Sequence, residues 1–295
     1  MDELIVASRA VHFAALALLF GAPLFRLAVS PAGPMRGSSG GRAIELAAGI
    51  ATLLSALGWF AGVAASMAGS WSDALAPDML QAVAWDTRFG RLWIARLGAM
   101  VAILAIHAWV RSARAKDIGL VVIAGGVTAS LVGTGHGMAG AGALGPIHMI
   151  ADMTHLLCAA IWIGGLFCLA QLLRLALGGD AARDVVSAVL PRFSRIGYWA
   201  VALLLISGCI NAVILVPSFG KLVGTGYGRV LLVKIALALL MVAIAVVNRF
   251  VLTPKISAAG PAGIRALWRS AMVEQGVGMA VLASVALLGT IHPVP

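Results

Sequence analysis

The chain alternates long apolar runs with short polar joints. Eight such runs recur, at roughly 4–29, 43–69, 90–110, 118–135, 147–174, 195–217, 229–252 and 270–291. Each is close to or above the ~20 residues that a helix needs to cross a hydrocarbon core of ~30 Å. Backbone N–H and C=O groups find no water in lipid, and runs of this length satisfy them only as helices. The pattern predicts an all-α polytopic membrane protein with eight transmembrane helices, forming a single transmembrane domain over 1–295. No joint between runs is long enough for a separate soluble domain.

One run breaks the apolar pattern from within. Residues 145–166 read GPIHMIADMTHLLCAAIWIGGL, long enough to span, yet carrying His148, Asp152 and His155. Their spacing of i, i+4, i+7 puts all three on one helical face about two turns long. Met149 and Met153 fall on the flank of that face. Ionisable groups cost several kcal/mol in lipid, so the face must look into protein or a water-filled cavity. A carboxylate between two imidazoles, with thioethers alongside, is one way to begin a transition-metal site. A polar helix–helix contact, with Asp152 paired to a basic residue, is the other reading of the same residues.

Charge supplies the orientation. Only 11% of the 295 residues are charged and 61% are hydrophobic, against ~25% charged in an ordinary soluble domain. The net charge of +10 does not imply nucleic acid as a partner, because the basic residues lie in short joints between spans. Of the 21 lysines and arginines, 14 fall at the first, third, fifth and seventh joints and 7 on the other side. The positive-inside rule then places those odd joints in the cytoplasm and both termini outside, N-out and C-out. Cys158, Cys168 and Cys209 all sit within apolar runs, so no disulfide framework is expected.

Other polar positions extend the picture. Arg9 and His12 share a face of the first span, where Arg9 either snorkels outward or joins a site. Trp59 and Trp71 read as interfacial anchors. Thr87 or Asp86 is placed to cap the third span, with Arg96 two turns inside it. His107 is the histidine at the inner side and reads as interfacial or core-packed. The fourth joint, GTGHGMAGAGALGP, presents His136 and Met138 just before the His148 helix. Its glycines follow a helix and lack a P-loop lysine, so they do not form a phosphate cradle. Ser207 and Asn211 in the sixth span read as interhelical hydrogen-bonding groups. Lys234 either snorkels or neutralises Asp152, a task for which Arg96 also qualifies. Glu274 in the eighth span reads as a partner for Arg249 or Arg269.

With this orientation, His12, His136, His148, His155 and His292 all fall in the outer half, together with Met67, Met138, Met149 and Met153. Imidazole suits Cu(II), and thioether sulfur favours Cu(I). Zinc would accept the histidines and the carboxylate but gains little from methionine. The chain has no HExxH, CxxC or paired-carboxylate ExxH pattern, which removes metalloprotease and di-iron readings. No catalytic constellation is present, and the chain is not expected to be an enzyme.

The segments RAVHFAALALLFGAPLF, TRFGRLWIARLG, HMIADMTHLLCAAIWIGGL and FSRIGYWAVALLLISGCINA occur in this order. They are followed by GTGYGRVLLVKIALALLMVAIAVVNR and VEQGVGMAVLASVALLGTIHP, the strongest run lying over about 190–292. Together they resemble the copper resistance protein D (CopD) family of bacterial inner-membrane proteins, over nearly the whole chain. The resemblance implies an eight-span protein that handles copper at the cytoplasmic membrane, receiving it from a small periplasmic carrier of the CopC type. It implies His12, His148, Asp152 and His155 as metal residues. The fused carrier domain of some relatives and a long Met-rich tract are not found here. The expected function is copper binding from the periplasmic side and movement across the membrane, in copper import, homeostasis or resistance. Around the core ligands, His136, Met138, Met149 and Met153 would line the approach, with His292 further out, and Arg9, Arg96 and Lys234 would balance charge. The alternative is a membrane b-type cytochrome or redox protein, with histidines such as His12 and His155 as axial haem ligands.

Overall fold

The computed structural model describes residues 2–30, 39–134, 144–216 and 218–291. Among the described residues there are no strands, and eight helices are long and apolar enough to cross a membrane. They are α1 (Asp2–Ala28), α2 (Ser39–Ala68), α3 (Arg88–Trp109), α4 (Ala113–Ser130), α5 (Leu144–Ala176), α6 (Asp180–Leu215), α7 (Gly226–Val247) and α8 (Pro261–Leu288). Three of them start on side-chain caps. Thr87 Oγ1 accepts from Gly90 N at 2.8 Å, Ser112 Oγ from Ala115 N at 3.3 Å, and Thr225 Oγ1 from Gly228 N at 3.0 Å.

Two helices begin well before their hydropathy rises. α6 runs through Pro191, and its early turns bury Val186, Val189 and Leu190 against Leu172 and Leu173 of α5. The start of α8 buries Ile264 and Leu267 in the same cluster. These turns are amphipathic and charged on their outer side, so hydropathy averaged over a window misses them. The second joint is also more ordered than a solvated loop, with short helices at Trp71–Ala74 and Pro77–Gln81 and a π-helical turn at Ala82–Asp86.

α5 lies at the centre, packed on α1, α4, α6 and α8. Its contact with α1 is made by glycines. A Cβ at Gly21 would lie 2.5 Å from the Ala160 carbonyl oxygen and 2.8 Å from Gly164 Cα. A Cβ at Gly164 would meet the Ala17 carbonyl and Gly21 Cα in turn. Backbone meets backbone here, which is how small residues bring membrane helices together.

Aromatic and ionic contacts hold the remaining helices. Trp59 is 3% exposed, not an interfacial anchor; it meets Trp93 edge-on at 4.7 Å, and Trp93 Nε1 donates to the Ala56 carbonyl at 3.0 Å. At the far end of α1, Arg26 is buried between α2 and α4. Its Nε and Nη2 donate to Asp117 Oδ1 at 3.0 and 2.6 Å, and its Nη1 to Glu45 Oε1. His107 Nε2 lies 3.8 Å from Glu45 Oε2, which makes His107 part of this network.

Substituting Gly21 with alanine is expected to force α1 and α5 apart, because the obstructing atoms are backbone and cannot rotate away. The expected cost is about 1–3 kcal/mol, the range for overpacking. Gly98→Ala, where a Cβ meets nothing within 4 Å, is the control and should unfold like the parent. Unfolding of the detergent-solubilised protein measures both.

Candidate metal site

The polar face of α5 points into the bundle. His148, Asp152 and His155 line one cavity of about 130 Å³, together with Arg9, Asn211, Tyr227 and Lys234. α1, α5, α6, α7 and α8 each contribute a polar group or a wall to it. The cavity lies toward the end of the bundle where α1, α5 and α7 begin and α8 finishes. Arg9 Nη1 donates to the Gly289 carbonyl at 3.4 Å, which ties the first turns of α1 to the end of α8.

Asp152 is compensated by several groups. Asn211 Nδ2 donates to its Oδ1 at 3.2 Å, and Lys234 and His148 line the same cavity. The α6 residues that read as interhelical hydrogen-bonding groups thus belong to this site: Asn211 holds Asp152, and Ser207 holds His155. Lys234 does not snorkel; it shares the cavity with Asp152. Arg96, the other cation considered for Asp152, is engaged elsewhere. Its Nε donates to Ser130 Oγ at 2.8 Å, its Nη1 to Thr134 Oγ1 at 3.0 Å and its Nη2 to the Ser130 carbonyl. Its guanidinium also lies 4.9 Å from the centre of the Trp93 ring.

The hydrogen bonds orient two imidazoles. His155 Nδ1 faces the Leu204 carbonyl at 3.1 Å and Ser207 Oγ at 3.3 Å. A carbonyl only accepts, so Nδ1 carries the hydrogen, and in the neutral ring Nε2 keeps the lone pair. Gly208 permits this approach, since a Cβ there would lie 3.2 Å from His155 Cε1. His12 repeats the arrangement: its Nδ1 faces the Thr52 carbonyl at 3.2 Å and Ser55 Oγ at 3.1 Å, and its buried Nε2 has no hydrogen-bond partner. Nδ1–H bonds to backbone or hydroxyl oxygen are the kind of outer contact that fixes a ligating histidine.

The remaining predicted positions divide. His12 is fully buried beside Trp59 and Trp93, with ring centres 5.8 and 6.0 Å away, and it does not line the cavity. Met149 is exposed and Met153 half-buried, and neither lines the cavity. His136, Met138 and His292 lie outside the described residues. Arg9 does not snorkel; its guanidinium sits 4.5 Å from the centre of the Trp59 ring. Glu274 pairs with neither Arg249 nor Arg269: it accepts from Trp162 Nε1 at 2.9 Å and Asn248 Nδ2 at 2.8 Å, while Arg249 Nε donates to Tyr198 Oη at 3.0 Å. Among the described residues, no group of three or more His, Cys, Asp or Glu side chains is assembled as a metal cage.

These features define a helical multi-pass membrane protein with a histidine–aspartate cavity near one end of the bundle. Residues 1–146 match the family model for the N-terminal domain of copper resistance protein D-like proteins, and residues 187–288 match the model for copper resistance protein D. The chain is 32% identical to copper resistance protein D of Pseudomonas syringae pv. tomato, over 99% of this chain and 97% of that one. It is 31% identical to the inner membrane protein YebZ of Escherichia coli K12, over 98% of each. It is 28% identical to the copper transport protein CutJ of Bacillus subtilis, over 78% of this chain and 42% of that protein. No solved structure matches. The chain belongs to the copper resistance protein D family.

The shared cavity predicts coupling between Asp152 and Lys234. Asp152→Asn and Lys234→Met should each destabilise the protein, because each leaves the other charge uncompensated. The double variant should recover part of the loss, with a coupling energy of roughly 0.5–3 kcal/mol. Arg96→Met in place of Lys234→Met should show no coupling with Asp152→Asn. A double-mutant cycle on unfolding of the solubilised protein measures this.

Proposed function

We propose that this protein takes up copper at the periplasmic side of the inner membrane and passes it inward, acting as a carrier and not as an enzyme. The observation that carries the reading is the α5 face. His148, Asp152 and His155 share one cavity, and the Nδ1–H of His155 is tied back so that its Nε2 lone pair is free to bind. Imidazole nitrogen and carboxylate oxygen suit Cu(II), and the copper names of two relatives favour copper over zinc. His148 and His155 are the proposed ligands, with Asp152 ligating directly or orienting an imidazole. His12 is the proposed third imidazole, its Nε2 lone pair already turned away from its hydrogen-bonded Nδ1. Among the described residues the donors are not closed into a cage, which suits cargo that must leave again. His136, Met138, Met149, Met153 and, further out, His292 are proposed to serve the approach from the periplasm, where a carrier of the CopC type is the proposed donor.

The test is copper stoichiometry and affinity for His12→Ala, His148→Ala, His155→Ala and His107→Ala. Loss of one imidazole ligand from the first three should weaken binding by about tenfold or more, in line with the loss of a contact that orients or ligates a metal. His107→Ala, at the far end of the bundle, should bind copper like the parent. Parental binding in all four folded variants overturns the site, and a Soret band in the purified protein would favour the haem reading instead. Copper uptake into vesicles of known orientation tests movement separately from binding.

Orientation is proposed from the lysine and arginine asymmetry, with both termini in the periplasm. Reporter fusions at Pro295 and near Gly179 are expected to report opposite sides, periplasmic and cytoplasmic respectively. A cytoplasmic signal from Pro295 would reverse the direction of access to the cavity.

A further inference from the structure

α6 and α7 follow one another in the chain but do not pack against each other to any extent; α6 lies along α5, and α7 lies along α8. The space between them is a second cavity, of about 320 Å³, with walls almost wholly apolar. Leu204 and Leu205 of α6, Ile235 and Leu239 of α7, and Trp162 of α5 are among its lining residues. Leu205, Ile235 and Leu239 are also 38%, 37% and 56% exposed on the outside of the bundle, so the slot opens sideways at membrane depth. At its other end it meets Asp152, His155 and Lys234, the same side chains that line the polar cavity. These three therefore stand between a polar chamber and a slot that faces lipid.

We propose that this slot binds an isoprenoid quinone from the bilayer, its ring among Leu204, Gly208 and Leu231 and its carbonyl oxygen accepting from Lys234. Three observations select that chemistry. The polar end lies about 12 Å along α7 from its start, by eight residues of helical rise, which is too deep for the headgroup of a phospholipid anchored at the interface. Asp152 and Lys234 together balance in charge, and Asp152 would repel the carboxylate of a fatty acid, so a neutral head is favoured. Lys234 donates and the Nε2 lone pair of His155 accepts, so the site presents both halves of the hydrogen bonding that a carbonyl or a hydroxyl on such a ring requires. The long apolar tail leaves between α6 and α7, where the bilayer is the solvent. The inference does not depend on the copper reading, because a quinone would bind the metal-free protein.

The experiment uses the full chain, metal-free, in nanodiscs of a single saturated phosphatidylcholine. A photoreactive short-chain quinone is added, and labelled peptides are mapped by mass spectrometry. Labelling is expected over 204–212 and 231–241, to be displaced by excess unlabelled quinone, and to resist excess oleate. Ala238→Phe, which fills the slot, should reduce labelling about tenfold or more, the scale of a poor fit in an apolar pocket. Lys234→Met should reduce it as well, whereas Val246→Phe, on the exposed side of α7, should label like the parent. If Ala238→Phe fails to fold, Leu205→Trp at the opening replaces it. Labelling spread evenly over the lipid-facing surface, undiminished labelling in the blocked variant, or equal competition by oleate would overturn the proposal. Copper affinity measured on Ala238→Phe should match the parent, so failure of the slot and failure of the metal site are read apart.

Discussion

An ionisable face on an otherwise apolar helix can be held in a membrane only from inside a bundle. α5 is that helix, and the other helices are arranged around the requirement. In its most apolar window 67% of residues are buried within the protein, against 11% for α7. The glycine contact with α1 and the long seam with α6 exclude lipid from α5 on two sides. The polar groups those neighbours bring are the ones α5 needs: Asn211 for Asp152, and Ser207 and the Leu204 carbonyl for His155. Packing and chemistry are therefore one constraint. Separating α1 or α6 from α5 would expose a carboxylate and two imidazoles to lipid as well as removing apolar contact.

The two ends of the bundle handle charge differently. At the far end, Arg26 fills the space between Glu45 and Asp117, so the cation is part of the fold. Near the other end, the groups around Asp152 surround a cavity, and Lys234 reaches in from a helix that packs mainly on α8. Two nitrogens of the planar Arg26 guanidinium converge on Asp117 Oδ1 and a third reaches Glu45, a geometry suited to permanent structure. Lys234 is a point charge on a flexible stem, which is compatible with the second cation proposed for this cavity. Arginine at one end thus closes a contact between three helices, and lysine at the other faces a cavity.

Much of this was legible from residue order alone. The eight spans follow from hydropathy, and the shared direction of His148, Asp152 and His155 follows from their spacing. Partners across helices were less legible. Lys234 and Arg96 are equivalent as cations near the start of a span, and only the packing sends one to Asp152 and the other to Ser130 and Thr134. Arg26, Glu45, Asp117 and His107 look like residues at span ends, and their union depends on how four helix ends converge. The charged early turns of α6 and α8 were hidden for another reason, since their amphipathic pattern lowers the hydropathy that defines a span. A helical-period analysis of 182–194 would have found Val186, Val189 and Leu190 on one face.

The same asymmetry bears on how a metal ion would cross. Beyond His155, α5 continues with Trp162, Ile163 and Leu166, all buried, and then with Leu172 and Leu173 packed against Phe25, Ile264 and Leu267. This mostly apolar stretch spans several helical turns, and its buried polar groups are few: the thiols of Cys158 and Cys168, and the Glu274 carboxylate that Trp162 Nε1 meets, so a hydrated ion would lose most of its coordination on entering it. Access in this conformation is thus from one end. If copper moves inward as proposed, this stretch must open, and α7 makes little contact with α1 or α5. α7 is fastened chiefly to α8 and carries Lys234, whereas α1 and α5 are locked by backbone contact at Gly21 and Gly164. For the proposed transport, a displacement of α7 along α8, which itself stays packed on α1 and α5, would move Lys234 away from Asp152 and open the seam beside Met241 and Trp162. Compensation of Asp152 and closure of the path are then set by the same helix.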